Sequence, residues 1–501
     1  MAFSFGQNIH SDEGKISRRG VLIGAGVGAG LAAIAGGVVA VSNQLIEAAA
    51  GNIAEPEVLK SKDGLLDITL TASYVTKTIG GKQVKMMAYN GSVPGPTLWL
   101  APGDTLRVKF VNQLGVTTNL HTHGLHVSPE GNGDNPMIMI HDGESFHYEY
   151  QLPKDHPAGT YWYHPHHHGE AANQVFGGLY GVIIVDTGIG NVTDHVLVIS
   201  DVSIATDGSV AGANMMSKMM GREGDYVLVN GAVQPQGRVD RGQVRWHIIN
   251  ACVSRNLNLN VAGAKANVIG LDGHRLTKSE PLSNLRLSPG NRAEVVMATK
   301  GGDVSLNYTT VPHPDSMGMM GNATTYKNYP LVTFKDSGKV GKDGMLMWAT
   351  PKFEDLRKMS VAVPSRSFTL NMPSMGNMGG MGGMGGMGGM GNMAGQFTIN
   401  GNRFDPNRID TPVKFGAVEE WTIVNKSTMA HPFHLHVWPM QILHDGSKTV
   451  SDVRYQDVVS VPAKGQVKVR VRFADFKGTA VYHCHILDHE DLGMMGIIQA
   501  S

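Results

Sequence analysis

His483-Cys484-His485-Ile486-Leu487-Asp488-His489, with Met494 a few residues on, is the stretch on which the reading of the whole chain turns. On an extended strand alternate side chains face opposite ways, so His483 and His485 point together and Cys484 points away. One short run therefore serves two sites. Cys484, His489 and the weaker thioether of Met494 lack one imidazole of the trigonal set, two histidines and a cysteine with a long axial methionine, that marks blue copper. His431-Pro432-Phe433-His434-Leu435-His436 supplies it as His431 and offers His434 and His436 to the second site. His121-Thr122-His123 and His164-Pro165-His166 repeat the spacing. The imidazoles that remain for this second site are too many for one ion. They suit a cluster of about three metals with open positions for a small ligand.

Outward from these motifs the chain repeats itself. Asn90-Gly91, Pro94-Gly95-Pro96, Gly103-Asp104, Val108 and Val111-Asn112 form one copy. Asn230-Gly231, Gly242, Trp246 and Ile249-Asn250 form a second, and Asn400-Gly401, Gly416, Trp421 and Val424-Asn425 a third. Each runs from an Asn-Gly turn into an alternating apolar stretch such as Thr105-Leu106-Arg107-Val108-Lys109-Phe110, the pattern of strands. No long stretch of helical period separates them. The expected fold is all-β: three consecutive Greek-key β-sandwiches at about 55–187, 188–345 and 346–501. Copies one and three carry His121-Thr122-His123 and His434-Leu435-His436, whereas the best match in copy two is Asn258-Leu259-Asn260. The middle copy is therefore read as a spacer without metal, and the histidine cluster as lying between the first and third copies.

Four motifs in this order, HTHG from His121, HPHHHG from His164, HPFHLH from His431 and HCHILDHEDLGMM from His483, resemble the copper-binding signatures of the multicopper oxidases. The resemblance runs from about residue 60 to the C-terminus and implies cupredoxin-like sandwiches holding four copper ions. By it, His121 and His434 hold the type 2 copper; His123, His164 and His485 hold one type 3 copper; His166, His436 and His483 hold the other. His431, Cys484, His489 and axial Met494 hold type 1, with Met495 the competitor for the axial place. His167 and His168 extend the second motif and bind nothing. The family reaction reduces dioxygen to water, with electrons passing from the type 1 site through Cys484 to its two flanking histidines. Oxygen reduction also needs protons, which carboxylates can relay. Glu490 occupies the family's proton-donating position, and Asp134, in Gly133-Asp134-Asn135-Pro136, matches its other acid across a longer loop.

Composition and the remaining motifs narrow compartment and substrate. Among 501 residues, 42 basic side chains balance 42 acidic ones without a basic run, which excludes nucleic acid as a partner. Residues 1–50 read as an export signal: Arg18-Arg19 engages the twin-arginine machinery, an apolar run follows, and Ala48-Ala49-Ala50 offers a cleavage site. An uncleaved membrane anchor is the alternative, and the destination is a periplasm or an outer cell surface. Cys252 is the one cysteine besides Cys484, so no disulfide is available, and it reads as a small buried apolar residue.

The Met/Gly-rich insertion 372–394 sets a thioether at every third position over much of Met372–Met393. A plain flexible linker has no use for regular thioethers, whereas thioether sulfur selects soft Cu(I). Met215-Met216, Met219-Met220, Met317 and Met319-Met320 add to the supply. The insertion and Met429 resemble the exported copper-efflux oxidases, although Ser427 stands where they place an aspartate. The expected reductant is Cu(I), with a laccase-like oxidase of small phenols as the runner-up and a non-catalytic copper-binding scaffold as the reading from another class.

Overall fold

The alternation seen in sequence becomes strands with one face inward. In Thr105–Asn112, Leu106, Val108 and Phe110 are buried while Arg107 and Lys109 face solvent. The computed structural model describes residues 52–188, 190–310, 327–342, 353–362, 365–372 and 397–501. The export-signal reading of 1–50, the methionines beyond Met372 in the insertion, and Met317, Met319 and Met320 lie outside the described residues.

The first sandwich faces a four-stranded sheet (Lys82–Tyr89, Leu65–Ile79, Thr105–Asn112, Ser145–Gln151) with a five-stranded one that ends on Gly159–His164 and His121–His123. In the third sandwich a six-stranded sheet built round Val418–Asn425 covers a five-stranded sheet holding Met495–Ala500, Gly478–Cys484 and His431–Leu435 side by side. The middle copy forms an eleven-stranded ladder, because its long strand Gln236–Asn250 pairs Thr193–Val202 and Arg292–Thr299 along one half and Asn328–Val340 along the other. The chain is thus all-β, three consecutive cupredoxin-like sandwiches, as its periodicity requires. Each has its own apolar core, centred on residues such as Phe110, Trp246 and Trp421.

The repeat has a physical basis in two asparagines per copy. Asn90, Asn230 and Asn400 all have positive φ, followed by a glycine with positive φ, the backbone that asparagine and glycine adopt most readily in tight hairpins. Their carboxamides pin a neighbouring strand: Asn90 accepts from Thr71 N at 2.7 Å, Asn230 from Val198 N at 2.9 Å and Asn400 from Thr369 N at 2.7 Å. The second asparagine closes the strand and clamps the loop beyond it. Asn112 Nδ2 donates to Val116 O at 2.8 Å, Asn250 Nδ2 to Arg255 O at 2.9 Å and Asn425 Nδ2 to Met429 O at 2.8 Å. In the outer copies those loops lead directly into His121 and His431.

Asn250 does this work in the copy that brings no histidine to the metal motifs, which allows the clamp to be tested apart from metal. Replacing Asn250 by alanine strands two buried carbonyls and is expected to lower stability by about 1–3 kcal/mol. Denaturant unfolding followed by tryptophan fluorescence reads the loss; an unchanged midpoint would show that the clamp contributes nothing.

Candidate metal centres

Strand Gly478–Cys484 delivers the cysteine, and the chain then leaves the sheet for a one-turn helix, Leu487–Asp491, that brings His489 back. Cys484 Sγ lies 3.3 Å from His431 Nδ1 and 3.9 Å from His489 Nδ1, and the two Nδ1 atoms are 3.4 Å apart. Metal–donor bonds of about 2.0–2.3 Å leave donors roughly 3–4 Å apart, so the three can share one ion. Met494 is fully buried in the same core cluster as Cys484, whereas Met495 packs with Val481 and Ile497 elsewhere. That placement separates the two candidates for the axial position. Burial pushes the Cys484 thiol up from its ordinary pKa, so its proton leaves when a cation takes its place. The outer ring nitrogens are held as well: His431 Nε2 is 2.7 Å from Ser427 Oγ, and His489 Nε2 is 3.1 Å from the carbonyl of Met219. A serine hydroxyl therefore occupies the place of the missing carboxylate.

Eight further imidazoles of the four motifs, all but those of His167 and His168, meet in one cavity between the first and third sandwiches. His483 Nε2 is 3.1 Å from His166 Nε2 and 3.2 Å from His436 Nε2, which joins these three as one donor group. His123 Nδ1 is 3.4 Å from His164 Nε2, and the His485 ring stands 4.9 Å and 5.6 Å from those two rings. His121 and His434 have ring centroids 5.8 Å apart, with donor atoms within 4.8 Å. The strand that carries His483 stops at Cys484, so His485 is placed by the bend after it and not by continued alternation. The two rings still lie 5.6 Å apart.

A metal is the partner this cavity lacks. His121 Nε2, His434 Nε2, His436 Nδ1 and both ring nitrogens of His485 are buried without a hydrogen-bond partner. Burial holds His121, His123 and His434 well below the ordinary imidazole pKa and His164 near 3, so these rings are neutral and ready to ligate. Asp134 fixes the tautomer of His121, whose Nδ1 lies 2.9 Å from both carboxylate oxygens, and so turns Nε2 to the cavity. Glu490 is fully buried, 3.0 Å from His483 Nδ1 and 3.6 Å from His166 Nε2.

Among the described residues no donor group draws on the middle copy, where Asn260 bonds Asn307 instead. The spacer reading is nevertheless too weak, because the middle copy reaches both centres. Met219 covers His489, Arg222 binds Asp488 through both carboxylate oxygens at 2.9 and 2.6 Å, and Arg292 binds Asp457. Asp457, absent from the sequence reading, lies 3.0 Å from His123 Nε2, and its carbonyl is 2.8 Å from His434 Nδ1. Its position in Tyr455-Gln456-Asp457-Val458-Val459 carries no local signal. His167 and His168 join no donor group, and His126 tethers loops through Val437 O at 2.9 Å and Asp475 at 3.0 Å. Cys252 is buried in the middle core. The carboxylate at His121 gives a test of the cavity: Asp134→Ala frees Nδ1 and is expected to weaken copper retention by roughly 10–100-fold while the blue band of the Cys484 site persists. Competition with a chelator measures this; unaltered retention would remove Asp134 from the site.

Known proteins agree with this geometry. Family models described as multicopper oxidase match residues 71–188, 194–331 and 387–501. A multicopper oxidase of Staphylococcus haemolyticus is 30% identical over 89% of this chain and 92% of its own length. A laccase of Bacillus subtilis is 24% identical over 82% and 89%. The solved multicopper oxidase of Campylobacter jejuni, described as a metallo-oxidase, superposes with TM-score 0.78 at 30% identity, covering 91% of this chain and 97% of that one. A laccase of Pediococcus acidilactici does so with TM-score 0.74 at 25% identity, covering 91% and 95%. The family's four coppers, one type 1, one type 2 and a type 3 pair, fit the donor sets described above. With its matched models covering most of its length, the chain belongs to the multicopper oxidases.

Proposed function

We propose that this oxidase takes its electrons from Cu(I), coupling the oxidation of four cuprous ions to reduction of one dioxygen, with four protons, to two waters. The observation that carries this reading is the set of methionines gathered in the apolar core that also holds Cys484. Met219 and Met429 are buried in the same core cluster as Cys484 and Met494, and Met215 and Met372 pack against it. Helix Met215–Met220, capped by Asn214, delivers the first of these and covers His489 with its own carbonyl. Soft thioethers favour Cu(I) over harder ions. The metallo-oxidase description of the Campylobacter jejuni protein supports the same substrate class.

When bound, the coppers supply one-electron chemistry beside Cys484 and a multi-electron store among the clustered imidazoles. The chain's own residues orient and proton-load that store. His431, Cys484, His489 and Met494 would hold type 1; His121 and His434 type 2; His123, His164 and His485 one type 3 copper and His166, His436 and His483 the other. Asp134 sets the His121 tautomer. The Glu490 carboxylate, 3.0 Å from His483 Nδ1, is placed to exchange protons at that edge of the cavity.

Phenol oxidation is the second reading, favoured by Ser427 in place of a carboxylate at the His431 edge and by the likeness to the Pediococcus acidilactici laccase. Oxygen uptake with Cu(I) and with a dimethoxyphenol separates the two. Replacing Met215, Met216 and Met220 by leucine, together with deletion of Met375 to Met393, is expected to cut the Cu(I) rate at least about tenfold, equivalent to roughly 1.4 kcal/mol, and to spare or raise the phenol rate. Equal loss of both, or an intact Cu(I) rate, would refute the thioether reading. The same proposal places the enzyme outside the cytoplasm through the twin-arginine route. Changing Arg18 and Arg19 to lysine is expected to trap it inside, as fractionation would show; unimpaired export would overturn that route.

A further inference from the structure

One turn of the middle sandwich, Ser288-Pro289-Gly290-Asn291-Arg292, reaches the histidine cavity although its own sandwich brings no metal donor there. Gly290 has φ +85°, and a Cβ built on it would stand 2.9 to 3.0 Å from Cδ2, Cε1 and Cγ of His485. Real Cβ atoms do not sit so close, so the bare Cα lies against the imidazole face and only glycine allows it. Two residues on, Arg292 is completely buried. Its Nη1 and Nη2 donate to the two carboxylate oxygens of Asp457 at 2.7 and 2.6 Å, a bidentate pair with little angular freedom. Its Nε donates to the carbonyl of Thr160 in the first sandwich at 3.1 Å. One guanidinium thus joins all three sandwiches.

Asp457 passes that constraint to two imidazoles from different sandwiches. Its carboxylate engages His123 Nε2 at 3.0 Å, which leaves Nδ1 as the atom facing His164. Its backbone carbonyl engages His434 Nδ1 at 2.8 Å, which leaves the unpartnered Nε2 facing the cavity. Simple stapling of sandwiches does not account for this arrangement, since Arg222 with Asp488 already staples the middle copy to the third without touching an imidazole of the cavity.

We propose that the turn carrying Gly290 and Arg292 is a wall of the histidine cavity, Gly290 setting the ring of His485 and Arg292, through Asp457, setting His123 and His434. Both are positioning residues contributed by the copper-free sandwich. The inference rests on the assignment of the clustered imidazoles to copper, and the experiment keeps the two apart. Purified holoenzyme is prepared as wild type, Arg292→Met, Arg292→Lys and Gly290→Ala. For each, copper per chain, the blue band and the type 2 electron paramagnetic resonance spectrum are recorded.

Wild type is expected to hold four coppers with both signatures. Arg292→Met should keep the blue band at wild-type intensity while the type 2 signal of the His434 site falls or its splitting changes; Gly290→Ala should keep the blue band and lose copper from the type 3 place that His485 holds; copper retention falls roughly tenfold or more in both. Arg292→Lys, which keeps the charge but not the bidentate fork, should fall between wild type and Arg292→Met. Four coppers and an unaltered type 2 spectrum in both Met and Ala variants would overturn the proposal. So would loss of the blue band in step with the type 2 signal in Gly290→Ala, since that reports general damage. A wild type that lacks the type 2 signal would instead sink the ligand assignment itself.

Discussion

The pairing of His431–Leu435 with Gly478–Cys484 is the constraint from which both metal centres follow. Its antiparallel register sets His434 opposite His483 and Phe433 opposite Cys484. Because side chains alternate, His434 and His483 face the cavity while Phe433 and Cys484 face the core of their own sandwich, beside Met494. A slip of one residue would exchange the two faces and put sulfur among the imidazoles. The first sandwich uses the same device, with His121 opposite His164. Two sheets, each presenting a cross-strand histidine pair, then meet around the cavity.

Such a cavity is unfavourable for a chain alone. Five ring nitrogens of His121, His434, His436 and His485 are buried without partners, and each unmet polar group costs about 1–3 kcal/mol. Together they rival the roughly 5–15 kcal/mol that holds a typical protein folded. Sandwich cores and interface arginines carry that load until metal arrives, after which each of these imidazoles can give one nitrogen to it. Burial keeps the imidazoles neutral and the thiol protonated, so copper uptake at Cys484 releases a proton and is favoured as pH rises. Folding and metal loading are therefore coupled.

Much of this was legible in the chain because its signals are local. His483, Cys484 and His485 declare two faces through strand alternation, and Asn90-Gly91, Asn230-Gly231 and Asn400-Gly401 declare a repeated turn through the backbone only those residues favour. The carboxylate clamp at His121 was visible as Asp134, thirteen residues away. What escaped was long-range. His123 and Asp457 are separated by 334 positions and Arg292 and Asp457 by 165, so nothing in either neighbourhood announces the contact. The middle copy looked passive for the same reason: its asparagines showed that ligands were absent, but its contributions are made by a glycine, an arginine and a main-chain carbonyl. The bend after Cys484 was also hidden, since five residues of helix leave no periodicity to read.

Anomalous scattering at the copper edge from crystals of the loaded enzyme tests the central claim most directly. Four peaks are predicted, one within bonding distance of Cys484, His431 and His489, and three among the imidazoles of residues 121, 123, 164, 166, 434, 436, 483 and 485. Peaks absent from that cavity, or copper bound there by residues of the middle sandwich, would contradict the account.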